Sequence, residues 1–144
     1  MDIINLKLNI TTESAIANRG HYRKIKVNEH QYYYSYSEIG AVHNMADRDV
    51  YEITEKSNII VQLDRTLRGR FIITGGGMRG TIENDLSFSF SDKGDDKIDN
   101  QKLIIHDTNE HELFAEVIVY VYDKELDCDI PCDPSIRNRP SRVQ

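Results

Sequence analysis

The dominant spacing of apolar residues along the chain is two. Ile4, Leu6, Leu8 and Ile10 alternate with Asn5, Lys7 and Asn9, which puts four aliphatic side chains on one face of an extended segment and the polar set on the other. Leu86, Phe88 and Phe90 alternate with Ser87, Ser89 and Ser91 in the same way. Ala115, Val117, Val119 and Val121 form a third row, with Ile118, Tyr120 and Tyr122 on the opposite side. Each pattern predicts a strand of an antiparallel sheet with one face buried. Residues 22–27, 31–37, 59–63, 70–74 and 103–106 are shorter runs rich in β-branched and aromatic side chains and predict further strands.

Turn-forming clusters separate these runs: Asn28-Glu29, Arg68-Gly69, Gly75-Gly76-Gly77, Asp92-Lys93-Gly94-Asp95 and Asp107-Thr108-Asn109. Short strands punctuated at intervals of roughly ten residues describe an all-β sandwich or small barrel. Ile39, Val42, Met45 and Ala46 depart from the pattern and fall at helical spacing after Ser37, which predicts one short helix near residues 38–47. All three prolines stand at 131, 134 and 140. Proline removes a ladder donor, so the regular sheet is expected to end soon after Asp123, leaving 131–144 as an extended tail on a single domain.

The chain has 144 residues, 39% hydrophobic and 29% charged, with a net charge of -6. That length predicts one domain with a core of its own. No stretch approaches the roughly 18 to 20 consecutive apolar residues of a membrane span, and the opening residues lack the basic start and apolar run of a secretory signal. The expectation is therefore a cytoplasmic protein without a membrane partner. The acidic balance argues against nucleic acid, which is held through clustered Lys and Arg. The charge is unevenly laid out, however: residues 1–134 hold 15 bases and 24 acids, a balance of -9, whereas 135–144 hold three arginines and no acid.

Several motifs invite a chemical reading. Gly75-Gly76-Gly77-Met78-Arg79-Gly80 matches G-x-G-x-x-G after an apolar run, but no helix follows, so the dinucleotide reading fails and a bulged hairpin connection is expected. Arg79 beside these glycines is a candidate anion contact. Tyr32, Tyr34 and Tyr36 share one strand face, expected to pack in the core, while Tyr33 takes the other and is a candidate contact residue. Asp95, Asp96 and Asp99 lie in an acidic loop with enough oxygen for calcium, though without the order of a dedicated calcium loop. Cys128 and Cys132 lack a second pair for a four-ligand zinc site; idle thiols, a local disulfide and a Cys/His site are the readings open to them. His106, Asp107, Glu110 and His111, and separately His43 with Asp47, are sparse metal-ligand sets without motif spacing. No serine elbow or Cys/His signature nominates a nucleophile, so no catalytic residue and no cofactor are assigned.

The segment from Asp123 to Pro140 is the least generic part of the chain. Its Asp133-Pro134 pair, followed by Asn138-Arg139-Pro140, resembles the closing segment of the DP-EP family of small bacterial proteins, with Arg139 where the family name leads one to expect Glu. Residues 56–63 and 71–75 are similar to the middle of that family, and the likeness covers roughly the final ninety residues. The resemblance implies an immunoglobulin-like antiparallel β-sandwich, here of about 7 to 9 strands, and no activity. Arg137, Arg139 and Arg142 are candidates to bridge carboxylates, in which case 133–140 docks on the sandwich; otherwise the terminus frays in solvent. Exposed edges, the tyrosine row and segregated charge together point to a non-enzymatic protein-interaction or self-association module. The alternatives are a small-ligand, carbohydrate or calcium binding module, and an enzyme using His106 or His111 with nearby carboxylates.

Overall fold

The computed structural model describes residues 1–40, 50–79, 85–90 and 102–140. Among the described residues, eleven strands fall in two sheets. The first has the order β2 (Arg23–Val27), β3 (His30–Glu38), β1 (Asp2–Thr11), β5 (Ser57–Leu63), β8 (Leu103–Asp107) and β7 (Leu86–Phe90). The second is built along β9 (Leu113–Asp123). β6 (Phe71–Arg79) runs down one side of β9, while β10 (Cys128–Cys132) and β11 (Ser135–Asn138) divide the other, and β4 (Val50–Ile53) lies beyond β11. The result is an all-β sandwich. Its pairing is not wholly antiparallel, because β1 runs parallel to β5 and β11 parallel to β4.

The alternation read from the sequence is the architecture of the core. Ile4, Leu6, Leu8 and Ile10 of β1, with Ile59, Val61 and Leu63 of β5, face Val117, Val119 and Val121 of β9 and Ile130 and Ile136 of the closing strands; all are buried in one cluster. Tyr32 and Tyr34 join that cluster and Tyr36 packs against it, as the row on one face of β3 predicts.

Three differences from the sequence reading have physical causes. The sheet does not end after Asp123, and 131–140 is not a tail: Cys128, Ile130, Cys132, Ile136 and Asn138 are buried members of β10 and β11. Among the described residues β10 pairs only with β9, so one side of the strand needs no ladder donors and Pro131 is tolerated there; Pro134 falls between the two strands. Second, the three glycines are not a hairpin connection but the middle of β6, with a bulge between Ile73 and Gly75. Third, a one-turn helix, α1 (Ser14–Ala17), forms where none was expected. Most of the segment expected to be helical at 38–47 lies outside the described residues, and Glu38 ends β3.

Gly76 shows why β6 needs a glycine. A Cβ there would lie 2.6 Å from Cδ1 of Phe88 on β7 and 3.1 Å from Leu103 on β8, so the two sheets meet at this point closer than any side chain allows. Gly76→Ala is therefore expected to cost about 1 to 3 kcal/mol through forced repacking. Gly75→Ala, with open space around its Cβ, serves as the control in urea denaturation.

Candidate functional site

Successive residues of β9 point to opposite sides, so Phe114, Glu116, Ile118, Tyr120 and Tyr122 lie in line on the outer face of the second sheet. Phe114 is 46% exposed and Tyr120 39%, high values for aromatic side chains, while Ile118 between them is buried. On the β6 side the row is flanked by Ile72, Gly75, Gly77 and Arg79, and on the other by Asp129, Pro131, Ser135 and Arg137. The Tyr120 ring lies over Gly77, 3.6 Å from where a Cβ would stand. The Arg137 guanidinium sits over the Phe114 ring at 5.1 Å from its centroid. Arg79 stands opposite Glu116 in the ladder, and Arg139 pairs with Glu52 at 3.2 Å.

Of the four candidate contact residues, Arg79 and Arg137 thus belong to the second sheet, and Arg139 follows directly on β11, its amide donating to the Ile53 carbonyl. Tyr33 does not join them; it lies on the outer face of the first sheet, opposite Lys24 and Thr11. Arg137 and Arg139 do engage the body of the sandwich: Arg137 lies over the Phe114 ring, and Arg139 pairs with the Glu52 carboxylate. Asp95, Asp96 and Asp99, the pair His43 and Asp47, and Arg142 lie outside the described residues.

Cys128 and Cys132 are free thiols, both buried, because Cys128, Ile130 and Cys132 share the inward face of β10. Burial, reinforced by Asp133, pushes the Cys132 thiol far above its ordinary range, which leaves it without nucleophilic character. Among the described residues no three His, Cys, Asp or Glu side chains gather as metal ligands. The proposed set of His106, Asp107, Glu110 and His111 is divided by strand alternation, with Asp107 buried and His106 turned to the outer face of β8.

Two buried polar networks tie the sheets together. In the first, Asp123 at the end of β9 is fully buried and accepts from Tyr32 of the opposite sheet at 2.7 Å, from Arg70 at 2.8 and 2.9 Å, and from the Glu125 amide at 3.0 Å. Burial acts to raise this carboxyl, but the Arg70, Tyr32 and Glu125 donors outweigh it and hold the group down at about 2. The Tyr32 hydroxyl is pushed well up by burial and by the adjoining carboxylate.

In the second, Asn138 of β11 donates to Asp107 at 2.6 Å and to Asp85 at 3.2 Å, joining the strands across the sandwich. Half-exposed His111 approaches Asp85 through Nδ1 at 2.6 Å and donates its amide at 2.9 Å. Asp85 is buried, which raises its carboxyl, yet His111 and Asn138 bring it below the usual range. Asp107 has less help. Burial pushes it up to about 6 against the Asn138 and Asn109 donors, with the Asp85 charge adding to the rise. Its Oδ2, together with Oδ1 of Asn109 and Oδ1 of Asn138, accepts no hydrogen bond among the described residues.

A third polar group was invisible in sequence. On the outer face of the first sheet, the Ser89 hydroxyl of β7 lies 2.8 Å from Nε2 of His106 on β8, and Nδ1 of His106 lies 2.9 Å from Oδ1 of Asn58 on β5. Strand order brings them together: Asn58 and His106 are register partners on β5 and β8, and Ser89, two residues beyond Ser87, the β7 register partner of His106, reaches the ring diagonally.

No protein-family model matches this chain, and no curated protein matches it significantly. No helix among the described residues is long and apolar enough to cross a membrane.

Proposed function

We propose that the protein acts by self-association through the outer face of the second sheet. The observation that carries this reading is the row on β9, where two exposed aromatic side chains are flanked by Arg79, Arg137 and Arg139. Tyr, Phe and Arg are the residue types enriched at protein contacts, and they supply large contact area for little lost side-chain freedom. The face is also self-complementary in charge. Its arginines are accompanied by Glu52, Glu116 and Asp129, so a copy rotated by a two-fold axis presents acids to bases. From Phe114 to Tyr122 the row extends about 27 Å, the scale of a standard interface patch.

The β2 edge of the first sheet supports this assignment by contrast. β2 carries Arg23, Lys24 and Lys26, and charge on an edge strand opposes strand-to-strand addition. The resemblance to the DP-EP family adds a fold to this reading and no activity.

Phe114→Glu combined with Tyr120→Glu places two charges on the row without touching the core. Light scattering is expected to show the double variant monomeric at concentrations where the parent chain is dimeric, while Tyr33→Glu on the opposite face leaves the dimer intact. A double variant that associates as tightly as the parent chain would rule out this face.

A further inference from the structure

We propose that Ser89 is a nucleophilic serine, activated by His106 and positioned through Asn58, that accepts acyl groups from activated carboxylic esters. Two hydrogen bonds fix where the His106 ring carries its proton. Asn58 presents its carbonyl oxygen to Nδ1 of His106, so that nitrogen carries the proton and donates it. Nε2 then keeps its lone pair, and the group that meets it, 2.8 Å away, is the Ser89 hydroxyl. A serine bonded to an imidazole that is oriented by a third polar group is the arrangement from which nucleophilic catalysis draws its activated oxygen, and an amide serves as the third member in other nucleophile–histidine sites.

The position of the serine on an edge strand supplies the second requirement, donors for the developing oxyanion. Among the described residues β7 pairs with β8 alone. In an antiparallel pair, alternate residues turn their N–H groups away from the partner strand. Either the Ser89 amide or the amides of Phe88 and Phe90 on both sides of it therefore lie outside this ladder. A central strand would offer none. Backbone amides at and beside the nucleophile are the donors that stabilise an oxyanion.

The step balances within these groups. As the Ser89 oxygen forms its bond to the ester carbonyl carbon, its proton passes to Nε2 of His106. The tetrahedral oxyanion collapses, the bond to the leaving oxygen breaks, and His106 returns the proton to that oxygen. Water, deprotonated by the same nitrogen, releases the carboxylic acid and restores the serine. The three side chains stand on an open sheet face, so selectivity rests on the reactivity of the acyl donor and not on the shape of a pocket. This face is opposite the one assigned to self-association, and neither proposal depends on the other.

The test is treatment of the full chain with p-nitrophenyl acetate, followed by intact mass and peptide mapping. The expected result is one acetyl group on Ser89, with Ser87 unmodified; Ser87 shares the strand and the face and stands opposite His106 in the ladder, so it is the internal reference for a neighbouring hydroxyl that does not meet Nε2. His106→Gln should slow the labelling at least about 100-fold, the lower range of general base assistance. Asn58→Asp should move the pH midpoint of labelling upward, because a carboxylate on Nδ1 stabilises the imidazolium; a purely structural Asn58 would not move it. Acetylation confined to lysines or the terminal amine, equal labelling of Ser87 and Ser89, or labelling indifferent to His106→Gln would overturn the proposal. Should His106→Gln lose its thermal transition, the ratio of Ser89 to Ser87 labelling in the parent chain decides the matter alone.

Discussion

Arg70→Ala is expected to lower the unfolding free energy by about 3 to 5 kcal/mol, the range for removing one member of a buried ion pair. Asp123 is fully buried, and Arg70 gives it two hydrogen bonds on two different oxygens. Without the guanidinium the carboxylate keeps only the Tyr32 hydroxyl and the Glu125 amide, neither of which carries charge. The loss is therefore the desolvation of an unpaired charge and not merely a missing contact. Arg70→Lys should recover only part of it, since an ammonium cannot span both oxygens in the fork geometry. Asp123→Asn in the Arg70→Ala background should restore stability relative to Arg70→Ala alone, a sign that a surface arginine would not give. Urea denaturation of the parent chain, Arg70→Ala, Asp123→Asn and the double variant forms the cycle.

The second large effect is a dependence on pH set by two aspartates of opposite sign. Asp107 is raised to about 6 in the folded protein against an ordinary value of 3.8, so the folded state holds this proton more tightly than the unfolded chain. Its contribution to stability is fully present below about pH 4 and is lost as the pH rises through about 6, on the order of 3 kcal/mol across that window. Asp123 is held down at about 2, so its contribution is present above about pH 4 and is lost as the pH falls toward 2. Together they place maximal stability near pH 4 to 5, unusually low for a globular domain. Asp107→Asn should remove the decline between pH 4 and 6. It should also stabilise the protein at pH 7 by about 1 to 3 kcal/mol, because the amide keeps an acceptor for Asn138, brings a donor to the unpartnered oxygens nearby, and carries no charge to bury. A flat profile for the parent chain between pH 4 and 6 would contradict this account of Asp107.

Much of the fold was legible because burial on one face of a strand writes itself into the sequence as period two. β1 and β9 show it most clearly. β10 and β11 carry the same signal in Cys128, Ile130, Cys132 and Ile136, but Pro131 and Pro134 concealed it. Treating proline as the end of the sheet neglects that an edge strand needs donors on one side only. The arginines flanking β9 were identified as candidates, Arg79 from the glycine-rich motif beside it and Arg137 and Arg139 from the charge of the closing segment. Their aromatic companions were not, because Phe114 and Tyr120 read as ordinary members of an apolar strand until the sheet shows which face turns away from the core.

The polar groups were the least legible, for a reason of distance along the chain. Tyr32 and Asp123 are 91 residues apart, Arg70 and Asp123 are 53 apart, and His106 meets a serine 17 residues before it and an asparagine 48 before it. No spacing rule links such positions, since the link is the order of strands in a sheet. His106 and Asp107 illustrate the converse. They are adjacent in sequence and suggest a shared site, and strand alternation sends one to solvent and the other into the core.

Sedimentation equilibrium of the unmodified chain tests the central claim most directly. Self-association through the β9 face predicts an apparent mass that rises with concentration from 16.7 kDa toward twice that value and stops there, as a closed two-fold dimer requires. A mass that stays at 16.7 kDa at every concentration would contradict it.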